Sequence, residues 1–151
     1  MSGKISVKNR KAYFQYAFLE KYIAGIQLTG TEIKSIRSGK VSLVDSYCHF
    51  INNELWVKGM HITGYLRGGH YNHDPKRERK LLLQKRELNK LQRKTKETSL
   101  TIIAIRLFIN DRGLAKLEIA LAKGKKEYDK REDIKQKDIK REIDRLKKSD
   151  Y

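Results

Sequence analysis

The chain has 151 residues, which suits one domain with a single modest core. It carries 35 lysines and arginines against 18 aspartates and glutamates, a formal net charge of +17, and such an excess attracts polyanions. No run of about 20 apolar residues is present that would span a bilayer, and the first residues lack the apolar core of a signal peptide. We therefore expect a cytoplasmic protein with a nucleic acid as its partner. The alternative is a soluble domain that only tolerates positive charge.

Short β-favouring segments separated by turns occupy most of the chain. The segments are residues 13–28, read as two strands with a turn near Glu20-Lys21, 47–65 around Asn52-Asn53, and the pair 100–109 and 114–122 around residues 110–113. A brief helix is predicted after Gly30, in TEIKSIRS, with Gly39 placed to end it. Several short strands joined by tight turns predict a mainly β fold, an antiparallel sheet or a small closed barrel with flanking helices.

One long helix is predicted from about Pro75 to Lys94, because Asp74 suits an N-cap and Pro75 suits the first helical position. At about 100° per residue, the apolar residues that share one face, and should pack on the barrel, are Leu81, Leu88 and Leu91. The other face is basic and carries Arg79, Arg86, Lys90 and Arg93, with Leu82 among them. We interpret this face as an RNA contact, where arginines hold phosphates and the leucine supports a base or sugar. A face that is only solvated is the alternative.

The segment from residue 124 to residue 151 differs from the rest of the chain. It is highly charged, and its thin apolar line consists of Ile134, Ile139, Ile143 and Leu146. Such a segment buries little surface alone, so we expect disorder or a marginal helix in the free protein. The predicted division is therefore a binding domain over 1–123 and a basic tail over 124–151.

Three stretches are specific enough to compare with known families, namely GTEIKSIRSG at 30–39, RKLLL at 79–83 and AKGKKEYDKR at 122–131. Shorter matches join them in order, namely NRKA at 9–12, AGI at 24–26, DSY at 45–47 and HDP at 73–75. Together they cover almost the whole chain, which resembles the SmpB family. Two positions depart from the pattern. Many members carry glutamate where this chain has Ile23, and Gln84 stands where relatives often have asparagine or histidine.

The resemblance implies an oligonucleotide-binding (OB-like) barrel with flanking helices and a flexible C-terminal tail. It implies binding to the tRNA-like domain of transfer-messenger RNA (tmRNA) and delivery of that RNA, with elongation factor Tu, to stalled ribosomes for trans-translation. In such a role the protein stands in for the missing codon–anticodon pairing at the decoding centre of the small subunit. The tail then folds as a helix in the empty mRNA channel.

Residues expected to bind RNA either match the family motifs or lie on the basic helix face: Asn9, Arg10, Lys11, Gly25, Glu32, Lys34, Ser35, Arg37, Arg79, Lys80, Leu82, Gln84 and Arg86. Lys34, Ser35 and Arg37 can supply a point charge, a hydroxyl and a planar fork to phosphates and 2′-hydroxyls. The functional reading of Glu32 is that it orients Lys34 or Arg37, or accepts bonds from base amino groups, and the structural reading is that it caps its own turn.

In the tail, the residues expected to act on the ribosome are Gly124, Lys125, Lys126, Tyr128, Asp129, Lys130 and Arg131. Tyr128 either stacks on a base of the decoding centre or anchors the root of the tail to the barrel.

Two other classes of protein are consistent with parts of the sequence. Four histidines, His49, His61, His70 and His73, suggest a metal-dependent nuclease, but no third ligand has the spacing that would complete a site. The single Cys48 excludes an internal disulfide and reads as a small hydrophobe in a strand. We therefore predict no enzyme, no metal and no cofactor. The other class, a generic OB-type RNA binder or ribosomal protein, explains the charge equally well but not the ordered motifs.

Overall fold

The structure, a computed structural model, describes residues 5–69, 72–97, 99–125 and 127–149, and the side chains of residues 127–129 and 148–149 lie outside this description. The strands are β1 (Ser6–Lys8), β2 (Tyr16–Ile26), β3 (Val41–Ser42), β4 (Tyr47–Ile51), β5 (Glu54–Lys58), β6 (His61–Ile62), β7 (Arg79–Leu82), β8 (Leu100–Ile109) and β9 (Ala115–Gly124). The helices are α1 (Arg10–Gln15), α2 (Gly30–Arg37), α3 (Lys85–Lys94) and α4 (Glu127–Ser149).

The long strands form an antiparallel ring. In order, β8, β4, β5, β7, β2 and β9 each pair with the next, and β9 pairs back with β8. Strand β1 is added to β8 outside the ring, and β3 pairs with β6 in a separate two-stranded sheet. The prediction of a mainly β, antiparallel fold with helices is confirmed.

Both predicted hairpins are present in the structure. Strands β4 and β5 turn at Asn52 and Asn53, whose φ values of 50° and 63° match the left-handed backbone that asparagine tolerates. Strands β8 and β9 pair from Leu100 opposite Lys123 to Ile109 opposite Ala115, a long ladder that closes the ring. Turn chemistry and β-branched composition were therefore sufficient to locate these four strands.

Residues 13–28 contain the end of α1 and one long strand instead of the two strands predicted. The side chain of Asn9 begins the helix, because its Oδ1 accepts a hydrogen bond from the Ala12 N–H at 3.2 Å. Strand β2 then runs through the expected turn, and its register with β9 shifts between Phe18 and Glu20. A bulge lets one strand bend around the ring where the sequence suggested a break.

The helix predicted over 75–94 is wrong in its first half, which forms strand β7, and only α3 is helical. Asp74 caps a turn and not a helix, since its Oδ1 accepts from the Lys76 N–H at 2.9 Å. Strand β7 is held between β2 and β5, so its backbone groups find their partners in the ladder. The packing residues were nevertheless chosen correctly, because Leu81 and Leu91 are buried and Leu88 packs against the core.

The core fills the ring. Its largest buried apolar side chains come from the strands, the segments between them and the helices: Ile36, Leu43, Leu55, Met60, Ile62, Leu81, Leu91, Ile102, Leu107 and Leu117. A second, smaller buried cluster contains Ala12 of α1 with Ile103, Ile105, Ala120 and Ala122. Cys48 is buried on β4, as the sequence predicted. Among the described residues, no helix combines the length and the apolar character needed to cross a bilayer.

The tail is described as helix α4, which touches the rest of the fold near α1. Lys125 forms an ion pair with Asp133, and the Lys137 ammonium lies 5.9 Å from the centre of the Phe14 ring. The apolar residues of the helix all remain about half exposed or more: Ile134, Ile139, Ile143 and Leu146. The division of the chain at residue 124 and the flexibility of the tail remain predictions.

Candidate nucleic-acid interface

A groove of about 420 Å³ lies where β2 and β7 meet the start of α2 and the β8–β9 turn. Gly25 on β2 pairs in register with Leu82 on β7. A Cβ atom placed on Gly25 would lie 3.3 Å from the Leu82 Cβ, so the glycine lets the leucine lie against the strand. The described residues that line the groove are Gly25, Ile26, Leu28, Thr29, Gly30, Ile33, Arg37, Leu82, Gly113, Leu114, Ala115 and Lys116.

The groove combines an apolar floor with a basic rim. Leu82 and Leu114 are 48% and 53% exposed, and the charged groups are those of Arg37 and Lys116. None of the described residues that line the groove is acidic. An apolar surface beside a planar guanidinium and an ammonium suits a base or sugar with its adjoining phosphates. It does not suit a cationic or a purely apolar ligand.

Three of the residues predicted to bind RNA, Gly25, Arg37 and Leu82, are brought together in this groove. Leu82 reaches it from a strand and not from the basic face of a helix. Along β7 the side chains of Arg79 and Leu81 face inward, and those of Lys80 and Leu82 face outward. The exposure of Leu82 was therefore predicted correctly, but the element that carries it is a strand and not the predicted helix. Sequence reasoning missed Leu114 and Lys116, whose position depends on the closing of β9 onto β2.

Glu32 lies in the interior with Arg77 and Arg79 beside it. Its carboxylate accepts from the Arg77 Nη2 at 2.6 Å, from the Arg79 Nε, and from the backbone N–H of Thr29 at 2.8 Å. Burial alone raises the pKa of Glu32, but the hydrogen bonds from Arg77, Thr29 and Arg79 outweigh it and hold the pKa below its ordinary value. Of the two readings of Glu32, the one that caps its own turn matches the structure, since it forms a capping box with Thr29.

Arg79 was placed on an exposed helix face, and that placement is wrong. Its side chain is fully buried, and its Nη1 donates to the Met60 carbonyl at 2.9 Å. The Nη2 group donates to the carbonyl of Pro75 at 3.3 Å. The guanidinium joins α2 to β7 through Glu32, which leaves no donor at the surface for a phosphate.

Two further predicted residues are buried. Asn9 is 3% exposed, and its Nδ2 donates to the carbonyls of Leu43 and Ala104, both at 3.0 Å. Ser35 is 2% exposed on the inner side of α2, while Lys34 on the same helix points to solvent. The Asn9 amide therefore holds the backbone of the segments beside it, and the side chains of Asn9 and Ser35 are almost wholly buried.

The remaining predicted residues are spread over the surface. Arg10 is exposed, and Lys11 pairs with an aspartate, Asp45, at 3.0 Å. Lys80 pairs with a glutamate of β5 on the outside of the ring. Gln84 is the N-cap of α3, and its Oε1 accepts from the Arg86 Nε at 3.0 Å. These groups do not lie in the groove.

In the tail, Gly124 ends β9, and the Lys125 ammonium donates to the Tyr13 carbonyl at 3.2 Å. Lys130 is half-buried and Arg131 is exposed at the start of α4. Lys126 and the side chains of Tyr128 and Asp129 lie outside the described residues, so both readings of Tyr128 remain predictions.

A metal-dependent site finds no support in the part of the chain that the structure describes, where no group of three or more His, Cys, Asp or Glu side chains converges. His73 has a structural position, with its Nδ1 2.9 Å from the Thr31 hydroxyl and its Nε2 2.9 Å from the Ile62 carbonyl. His70 lies outside the described residues.

Comparison with known proteins extends these observations. The family model described as "SmpB protein" matches residues 6–149. The chain is 61% identical over 142 residues to an SsrA-binding protein of Phocaeicola vulgatus, covering 94% of this chain and 95% of the relative. It is 58% identical over 148 residues to an SsrA-binding protein of Christiangramia forsetii, covering 98% and 94%. A solved structure described as "tmRNA-SmpB: a journey to the center of the bacterial ribosome" superposes with a TM-score of 0.70 at 43% identity, covering 82% of this chain and 86% of that one. The chain therefore belongs to the SmpB family.

Proposed function

We propose that this protein binds tmRNA, also called SsrA RNA, through its tRNA-like domain and acts with it in trans-translation on stalled ribosomes, as an RNA-binding protein and not an enzyme. The observation that carries the proposal is the match to SsrA-binding proteins over nearly the whole chain. The chemistry of the groove supports it, because an apolar floor with a cationic rim suits folded RNA. Since ribosomes are the place of action, the protein works in the cytoplasm.

We further infer that the ring of strands is an OB-like barrel, with the groove formed where α2 and the β8–β9 turn flank β2 and β7. The tail, from Gly124 through Arg131 to the end of α4, is assigned to the decoding centre and the mRNA channel of the small subunit. Its exposed cations can face the phosphates of the channel wall. Elongation factor Tu is placed in the same complex through the aminoacylated tmRNA.

Binding to the isolated tRNA-like domain tests the first part of the proposal. We expect a preference for this folded domain over an unstructured RNA of the same length, whereas a generic OB-type binder would prefer the unstructured RNA. The logarithm of the affinity should fall with the logarithm of the salt concentration, with a slope of about 0.7–0.9 per phosphate neutralised. Equal affinity for both RNAs would contradict the proposal.

The groove is tested with matched lysine variants. Lys116→Ala removes a cation from the rim, while Lys58→Ala removes a 53% exposed lysine from the outside of β5. Because a hydrogen bond to a charged group contributes about 1.5–3 kcal/mol, the first change should weaken binding about tenfold or more. The second change should leave the affinity nearly unchanged. Equal effects of the two changes would mean that the groove is not the RNA site.

A protein that stops before Asp129 tests the assignment of the tail. We expect it to fold and to bind the tRNA-like domain, because the groove lies wholly within the ring and α2. It should fail to support tagging of incomplete proteins in a reconstituted translation reaction with stalled ribosomes. Normal tagging would contradict the proposed role of the tail, and loss of RNA binding would place the tail in the tRNA-like site instead.

A further inference from the structure

A loop on the other side of α2 presents an apolar side chain to solvent. Leu66 is 94% exposed, the largest exposed fraction among the large hydrophobic residues that the structure describes. It lies between Tyr65 and Arg67 in the segment that connects β6 to β7. A single exposed leucine is ordinary, so its meaning depends on how the loop is held and on what surrounds it.

The loop is held in place by Asn72. The Asn72 Oδ1 accepts from the Tyr65 N–H at 3.0 Å, and its Nδ2 donates to the Tyr65 carbonyl at 2.7 Å. Gly68 packs so closely that an added Cβ would lie 2.9 Å from the Asn72 Cγ and 3.1 Å from the Thr31 Cγ2. These contacts fix the loop against Asn72 and against Thr31 of α2, and Leu66 lies between the two held residues, Tyr65 and Gly68.

The surroundings of Leu66 are basic. Beside it is a depression of about 140 Å³, and the described residues that line it are Ser35, Ser38, Lys40, Gly64, Tyr65, Leu66 and Arg67, none of them acidic. The ammonium of Lys34 lies 5.4 Å from the centre of the Tyr65 ring. Lys34, Lys40 and Arg67 are all exposed. An apolar side chain among cations, beside a depression without a carboxylate, is complementary to a base flanked by phosphates. A protein partner that bound the leucine in an apolar pocket would not require the cations.

The position of the loop relative to the groove indicates which RNA it meets. Arg37 faces the groove, and Lys34, three residues earlier, faces the loop, so the two cations are neighbours on the surface of one helix. An α-helix with its side chains is about 10–12 Å wide, less than a folded RNA domain. One RNA can therefore contact both sides of α2 at once.

We propose that the Leu66 loop, residues 64–69, is a second contact for the same folded RNA that occupies the groove. Leu66 packs on an unstacked base, and Lys34, Lys40 and Arg67 bind the phosphates on either side of that base. This inference rests on the proposed function, since it assigns the loop to the tRNA-like domain. It adds a contact that lies outside the groove.

Equilibrium binding of the tRNA-like domain to the full-length protein tests the inference. Leu66→Ala should weaken binding about fivefold, at the lower end of what a base contact contributes, with no change in the salt slope because no charge is removed. Leu19→Ala, which truncates a leucine that is 55% exposed on β2, is the matched control and should bind like the parent. Arg67→Ala should lower the salt slope by about 0.7–0.9. Leu66→Ala and Arg67→Ala should unfold at the temperature of the parent, because both side chains are exposed, and Leu19→Ala, which truncates a half-buried side chain, should unfold at a slightly lower temperature.

Several outcomes would overturn the inference. Parental affinity of Leu66→Ala, alongside weakened binding of Lys116→Ala, would remove the loop from the interface and leave the proposed function standing. Defective tagging by Leu66→Ala with full affinity for the tRNA-like domain would assign the loop to another partner. A parent protein without preference for the tRNA-like domain would overturn the proposed function together with the inference.

Discussion

Two neighbouring leucines on β7 should respond in opposite ways to the same truncation. Leu81 is 1% exposed and lies in the core, so Leu81→Ala removes buried methyl groups and leaves a cavity. Truncations of this kind cost about 2–5 kcal/mol. Leu82 is 48% exposed and lies in the groove. Full burial of a leucine side chain contributes about 1.5–3 kcal/mol, so half of it gives about 1 kcal/mol.

Urea unfolding of both variants, followed by circular dichroism, measures the difference. With an m-value of about 2 kcal/mol/M, Leu81→Ala should lower the unfolding midpoint by about 1–2.5 M, and Leu82→Ala by about 0.5 M. RNA titration should show the reverse order, because only Leu82 has surface available to a ligand. Leu82→Ala should bind the tRNA-like domain more weakly, and Leu81→Ala, measured where it is folded, should bind like the parent.

The reasoning would be refuted if Leu82→Ala lost as much stability as Leu81→Ala while keeping its RNA affinity. That result would mean that Leu82 packs against the fold in solution and that the groove is not open to RNA.

Two substitutions and one labelling experiment test the ion pairs and the thiol. Glu32→Gln leaves the Arg79 guanidinium buried without its counter-ion and should cost about 3–5 kcal/mol in urea unfolding, and a loss below about 1 kcal/mol would contradict the ion pair. A hydrogen bond from Lys94 lowers the pKa of Glu20 to about 2 from 4.5, so this contact stabilises the fold above pH 4.5 and its contribution is lost as the pH falls toward 2. Lys94→Ala should reduce the acid-dependent fall of stability in that range, and an unchanged pH profile would refute the contact. Burial raises the pKa of the Cys48 thiol, so a thiol reagent should modify it in denaturant and not in the native protein.

Local patterns were sufficient wherever the structure depends on neighbours in the chain. Asn52 and Asn53 supply the positive φ values that the β4–β5 turn requires, and the helix α2 begins and ends near the residues expected. The buried Cys48 and the packing of Leu91 follow from composition and helical spacing. These features are set within a few residues of sequence, which is why they could be predicted.

The errors concern groups whose partners lie far along the chain. Arg79 was predicted on the basic face of a helix because of its helical spacing, yet its counter-ion Glu32 is 47 residues away and in the interior. With the Arg79 side chain facing inward, buried and exposed side chains alternate along the segment with a period of two residues, which is the pattern of a strand. The same applies to Asn9, whose side-chain amide donates a hydrogen bond to the carbonyl of Ala104, 95 residues away in the chain. No local pattern reveals such partners.

The pairing of β2 with β9 determines when the protein can fold during its own synthesis. Tyr16 pairs with Gly124, so the edge of β2 that faces β9 has no partner until that last strand is made, although β2 also pairs with β7. The β4–β5 hairpin can form as soon as it leaves the exit tunnel, but the edge of β2 stays unpaired until β9 has emerged. Pairing over such a distance makes folding slow and leaves that edge open to other chains in the meantime. The newly made protein therefore cannot close its ring until its own translation has passed β9, so it depends on the uninterrupted translation whose failure it is proposed to repair.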